Sequence, residues 1–149
     1  MTVRTTREIA ADPSSIFAAF ADPSRLRNWW GPAGFTNTFE VCEFEPGGKW
    51  TLVMHGPDGR NYPNESIFSE IEPSKRIVID HISQPKYVLT ITLEPTSSGT
   101  TLVHWHQTFE NPRVVARLTR TTESGETIVP PNEENLDRLT AEVLRVRAE

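Results

Sequence analysis

The chain has a single cysteine, Cys42, among 149 residues. That excludes an internal disulfide and any cysteine-built zinc cluster, and it makes a reducing cytoplasm the expected compartment. Long apolar runs are also missing. None approaches the roughly 18–20 residues that cross a bilayer, and the opening MTVRTTREIAADP lacks the apolar core of a secretory leader. There is no basic block, and the formal net charge is −5 with a pI near 5.4. Nucleic acid and membrane are therefore not expected partners. No nucleophile elbow, glycine-rich phosphate loop or paired-carboxylate spacing occurs. Gly47-Gly48 and Gly56-Pro57-Asp58-Gly59 are turns with no helix after them, so neither cradles a phosphate. No catalytic residue is assigned. With 36% hydrophobic and 23% charged residues the chain is globular rather than disordered. It shows no repeat and no boundary, so 1–149 reads as one domain with room for a real core.

What is present begins with Asp22–Phe35, DPSRLRNWWGPAGF, which holds Trp29 and Trp30, two of the four tryptophans. Large aromatics at a helix end are normally buried on at least one side. Asp12-Pro13 and Asp22-Pro23 each pair an N-cap with a proline at the first helical position, predicting short helices over 13–20 and up to about Trp29. Gly31-Pro32-Ala33-Gly34 ends the second. Val3–Ile9 reads as a first strand. From Thr36 to Thr108 the pattern alternates with period two, interrupted by short turns, and predicts six antiparallel strands in a meander. Arg113–Arg120 is compatible with a helix, and the Thr- and Ser-rich Thr119–Thr127 has no clear reading. Pro130-Pro131-Asn132 opens a final helix whose apolar face is Leu136, Leu139, Val143, Leu144 and Val146. The fold class is α+β: a curved antiparallel sheet of about seven strands wrapped round the long C-terminal helix, with two short helices after the first strand. Space between helix and sheet would form a pocket, with Trp29 and Trp30 at its open end, one ring anchoring the helix and the other lining the mouth.

An ordered series of short motifs covers nearly the whole chain. It comprises Asp12-Pro13, Asp22-Pro23, Trp30-Gly31-Pro32, Pro46-Gly47-Gly48-Lys49-Trp50, Pro57-Asp58-Gly59 and Ser69-Glu70-Ile71-Glu72-Pro73. Gly99-Thr100-Thr101-Leu102 and Asn135-Leu136-Asp137-Arg138-Leu139 complete it. With these the chain resembles the START-like, helix-grip superfamily (SRPBCC). Within it, the chain is similar to the branch named for the C-terminal domain of the activator of Hsp90 ATPase. Two departures stand out: Ser66 before Phe68, where the family often has glycine, and the insertion-like Thr119–Pro131. The resemblance implies the fold and carries over no catalytic motif, since members place diverse roles on one scaffold.

Alternation then nominates pocket residues. Trp50 and Met54 share a face with Leu52, and Tyr62 with Phe68. Ile79 and His81 share one with Ile77, and Leu89 and Ile91 with Tyr87. On the last strand Leu102, His104 and His106 are read as inward, opposite Val103 and Trp105. Trp29, Trp30 and Phe35 come from the mouth, and Leu136 and Leu139 from the final helix. Many of the aliphatics serve as core, and Cys42 is read as a small buried hydrophobe. His104 and His106 could ligate a metal with His81 or Glu43, but two strand spacings, roughly 9–10 Å, separate His81 from His104. No metal and no cofactor are therefore expected. The expected function is binding of a small apolar or amphipathic molecule, with a link to stress carried only by the resemblance. The alternative is a cyclase, hydrolase or dehydratase using the pocket histidines. A role with Hsp90 ranks third: the resemblance covers one domain of that co-chaperone, no preceding second domain is expected, and the chain is acidic, so no stimulation of its ATPase is expected. Outward-facing Val103 and Trp105 suggest a homodimer surface.

Overall fold

Short range chemistry sets the helix starts. The computed structural model describes residues 1–148, in the order β1 (Thr2–Ile9), α1 (Pro13–Ala21), α2 (Pro23–Trp29), β2 (Thr36–Cys42), β3 (Gly48–His55), β4 (Asn61–Glu72) and β5 (Arg76–His81). β6 (Tyr87–Pro95), β7 (Thr101–Phe109), α3 (Pro112–Leu118), β8 (Arg120–Thr121), β9 (Thr127–Ile128) and α4 (Pro130–Ala148) follow. The Asp12 carboxylate accepts from the Ser15 amide at 2.9 Å and that of Asp22 from the Ser24 amide at 2.9 Å. Asn111 does the same for Arg113 at 3.0 Å, and a proline follows each of the three caps.

Strands β2 to β7 form a meander, and β1 closes on β7, giving the order β1-β7-β6-β5-β4-β3-β2 with every pair antiparallel. The register shifts between Phe39 and Val41 and again between Phe68 and Glu70. Such bulges bend and twist a strand, and here they help the sheet wrap α4. The buried stripe of α4 is Asn132, Asn135, Leu136, Leu139, Glu142 and Val143, the helical i, i+3, i+4, i+7 spacing. Glu142, 6% exposed, sits in this stripe because Arg25 and Arg145 reach it at 3.0 and 2.8 Å. Those bonds hold its carboxyl below the usual range although burial alone would raise it.

The 111–131 segment holds a helix, α3, over most of the stretch that the sequence makes compatible with one, and a small hairpin of β8 and β9 where the sequence has no clear reading. Three expectations need correction. Leu144 and Val146 are exposed, so the apolar face of α4 is narrower than the sequence suggests. On β7 the inward set is Val103, Trp105, Gln107 and Phe109, all buried, while His104 and His106 lie on the outer face. The reason is apolar area: Val, Trp and Phe on one parity outweigh a single Leu on the other. With Val103 and Trp105 inside, the homodimer surface built on them is lost as well.

Gly48 opens β3 where a Cβ would collide with the Glu43 carbonyl oxygen. No flexible side chain is available there to move aside. Gly48→Ala is expected to cost about 2 kcal/mol or more, read as a lower midpoint in urea unfolding with an unchanged slope.

Candidate functional site

Trp30 sits at the centre of the grip. It follows α2 directly, and its ring meets Trp29 at 5.6 Å, Trp50 at 4.8 Å and Trp105 at 5.9 Å between centroids. All four tryptophans of the chain are thus in one cluster. Trp50 stacks on Phe68 at 5.3 Å and 12° and meets Phe39 edge-on. Trp29 is anchored by its Nε1 donating to the Ala19 carbonyl at 3.0 Å. These rings fill most of the space between sheet and helix.

One gap remains at the end of the sheet where β6 begins and β7 ends. It is a cavity of about 110 Å³. Trp30, Met54, Leu89 and Trp105 form its apolar walls. Tyr87, Gln107, Asn132 and Asn135 supply its polar groups, and Gly31, Pro32 and Pro131 rim the opening. Asn132 Nδ2 donates to Gln107 Oε1 at 3.0 Å. Burial pushes the Tyr87 hydroxyl well above its ordinary pKa, opposed by a hydrogen bond from Gln107. The indole N–H of Trp105 is buried without an acceptor. A larger concavity, about 440 Å³, shares Tyr87 with it and runs as a groove over His81, Phe109, Ile82, Lys86, Val88, Thr108, Asp80 and Glu110. That groove reaches the outer face of the sheet and carries charged walls. The smaller cavity is half-open, but it lies between sheet and C-terminal helix, is walled by Trp30 and Trp105, and carries no charged side chain.

The rim is held from α4. A helix end leaves carbonyls unpaired, and α2 ends at a glycine-proline turn that cannot pair them. Arg138 Nη1 donates to the carbonyls of Trp30, Gly31 and Pro32 at 3.0, 3.0 and 2.9 Å. Its Nη2 donates to those of Asn28 and Phe35 at 3.0 and 2.9 Å. A cation here also complements the negative end of the α2 dipole. Asn37 Nδ2 serves the Arg27 and Trp30 carbonyls at 3.1 and 2.9 Å, and Asn135 Oδ1 accepts from the Gly31 amide at 3.2 Å. Gly31 has φ +95°, and a Cβ there would run into the Met54 methyl at 2.8 Å.

A family model for activator of Hsp90 ATPase homolog 1-like proteins matches residues 10–130. The chain belongs to this family. Solved structures of similar chains share its fold. One from Arthrobacter aurescens is 26% identical, covers 97% of this chain and 86% of its own, and has a TM-score of 0.81. One from Nitrosomonas europaea is 21% identical over 100% and 97%, with a TM-score of 0.81. An activator of Hsp90 ATPase homolog 1-like protein from Aeromonas hydrophila is 17% identical over 100% and 96%, with a TM-score of 0.76. The last two show the fold alone. No curated protein sequence matches the chain. Among the described residues no helix is long and apolar enough to cross a membrane.

In this family member the residues nominated from sequence separate into three groups. Trp30, Met54 and Leu89 line the cavity. Trp29, Trp50, Phe68, Ile79, Ile91, Leu136 and Leu139 are core. The remaining nominees sit elsewhere. Phe35 and Tyr62 pair at 5.8 Å near the rim, with Tyr62 39% exposed. His104 and His106 are on the outer face, and His104 faces Glu94 at 3.0 Å. His81 is buried and lines the larger groove, its ring stacked on Tyr87 at 4.3 Å and 8°. Cys42 is half-buried, and burial pushes its thiol up to about 11, so it is no nucleophile. Sequence reasoning missed Trp105, Gln107, Asn132 and Asn135 as site residues, and Arg138 as their support. Asn132 and Asn135 stand three apart at the start of a helix, so their shared face was the available signal.

Two outcomes follow from these contacts. Arg138→Ala removes a donor from five carbonyls, of which Trp30 keeps Asn37 and Pro32 keeps the Phe35 amide, and should cost about 2–3 kcal/mol, with tryptophan emission shifting to the red as Trp30 loosens. Arg138→Lys should restore only part, because an ammonium cannot reproduce the planar fork. Separately, burial lowers the His81 pKa below its ordinary 6.5, although the Pro85 and Ser83 backbone contacts and Asp80 oppose this. The unfolded chain then binds more protons than the folded one, so stability is fully present above 6.5 and declines as the pH drops through the folded-state value. His106 is depressed in the same direction, chiefly by burial. Urea midpoints should fall on acidification below pH 6.5, and less steeply in His81→Phe, which retains the stack on Tyr87.

Proposed function

We propose that this chain binds a small apolar or amphipathic molecule in the cavity beneath Trp30. The observation that carries the reading is the cavity itself: about 110 Å³ bounded by aromatic and aliphatic walls on one side and amide groups on the other. Apolar walls supply affinity, and sparse polar groups fix orientation. The volume limits the occupant. An engineered cavity of about 150 Å³ accommodates benzene, so this one suits a ring-sized body with any tail passing out over Pro32 and Pro131. A long acyl chain does not fit, because Trp30, Trp50 and Phe68 occupy the interior it would need.

No nucleophile or paired acid and base stands in the cavity, so binding rather than catalysis is the reading. The enzyme reading built on His104 and His106 has no support where both rings point to the outer face.

Thermal unfolding measured against a panel of ring-sized molecules and long-chain lipids tests this, together with native mass spectrometry of the purified chain. Ring-sized compounds should raise the midpoint in the wild type and not in Leu89→Trp, which fills the cavity. Stabilisation by long-chain lipids alone, or equal stabilisation of Leu89→Trp, would contradict it.

A further inference from the structure

The cavity beneath Trp30 has no charged side chain in its lining. A charge placed inside it would stand unpaired, which is strongly disfavoured. The charged end of an amphipathic occupant therefore belongs outside, past the rim. Pro131, on that rim, also lines a second concavity, of about 330 Å³. Its other walls are Arg117, Leu118, Arg120, Pro130 and Glu134. A chain that leaves the cavity over Pro131 enters this space.

Two cations meet there. Arg117 stands in the last turn of α3 and Arg120 opens β8, on either side of Thr119, where the insertion-like stretch begins. Both are exposed. Among the described residues neither forms an ion pair. Arg120 Nη1 donates to the Arg117 and Thr119 carbonyls at 3.1 and 2.8 Å, which ties it to its own backbone and leaves its other nitrogens to give. The Arg117 guanidinium donates to nothing among the described residues. The single carboxylate of the walls, Glu134, has its Oε1 engaged by the Ala33 amide at 3.1 Å. Two guanidiniums against one carboxylate leave the concavity one positive charge in excess, in a chain whose net charge is −5.

Resting on the binding reading above, we infer that the ligand is an amphipathic monocarboxylate: a ring-sized apolar body in the cavity, a short chain over Pro131, and the carboxylate on Arg117 and Arg120. A guanidinium presents paired N–H donors that match the two oxygens of a carboxylate. One negative charge balances the excess of the walls, whereas a doubly charged phosphate would overshoot it beside Glu134. The neutral cavity selects the body by shape, and the arginines at its mouth select the charge. Because they are exposed, salt screens their contribution.

Phenylpropanoate, phenylbutanoate and phenylpentanoate, each with its primary amide, are titrated calorimetrically into the full chain. Within a pair the ring and chain are the same and only the charge differs. At the length that reaches the arginines, the acid should bind about tenfold more tightly than its amide at low salt, and the gap should narrow at high salt. Arg117→Gln removes a charge without breaking a contact and should cut the gap about threefold, and adding Arg120→Gln should close it. The amides should bind these variants and the wild type alike. Arg113→Gln, on the same helix but outside the concavity, should leave the gap nearly unchanged. An acid that binds no better than its amide at any length, a gap that survives both substitutions, or one that falls equally with Arg113→Gln, would overturn the inference and leave the cavity as a binding site. If neither acids nor amides bind, or if both bind Leu89→Trp as tightly as the wild type, the binding reading fails and the inference with it.

Discussion

The contact on which the rest depends is the Arg138 guanidinium against the backbone that leaves α2. A seven-residue helix ending in Gly31-Pro32 has carbonyls that its own chain cannot satisfy. One side chain from α4 satisfies most of them, with Asn37 and Asn135 serving others. The exit path of the chain is fixed as a result, and with it the direction of Trp30. The indole is set against Trp50 and Trp105, on two different strands of the sheet. Through one residue, the C-terminal helix is tied both to the helix pair and to the sheet it lies across.

That tie explains why the grip is nearly full. A curved sheet around one helix leaves space whose use depends on side-chain volume. Here the aromatic cluster of Trp29, Trp30, Trp50 and Trp105, extended by Phe68 and Phe39, takes up most of it. The residual cavity sits where the cluster stops, between Trp30 and the amides at the start of α4. Its size follows from the rings, and its neutral chemistry follows from Gln107, Asn132 and Asn135 bonding to one another and to the rim. Membership of the activator of Hsp90 ATPase homolog 1-like family gives the scaffold, and the individual side chains give this site its character.

Much of the fold was legible in the sequence because its signals are local. Asp12-Pro13 and Asp22-Pro23 mark helix starts through capping chemistry, and turn residues delimit each strand of the meander. Asn111-Pro112 carried the same start signal for α3 and is as clear once the cap is seen. The site was less legible. Trp30, Met54 and Leu89 emerged from parity and turn position. On β7 the parity was decided against the apolar evidence: His104 and His106 suggested chemistry, although Val103, Trp105 and Phe109 share the other face and carry far more area to bury. Arg138 stands in one of the short motifs, but its role lies outside what pattern can reveal. Its partners are backbone carbonyls some hundred residues away, and nothing in a period or a spacing encodes that contact.

The account stands or falls on where a ligand binds. Crystals of the chain soaked with a library of small fragments locate it directly. The account predicts fragment density between Trp30, Leu89 and Trp105, with the Arg138 contacts to the rim intact. Density confined to the open groove along Ile82 and Val88, with the cavity closed by its own side chains, would contradict it.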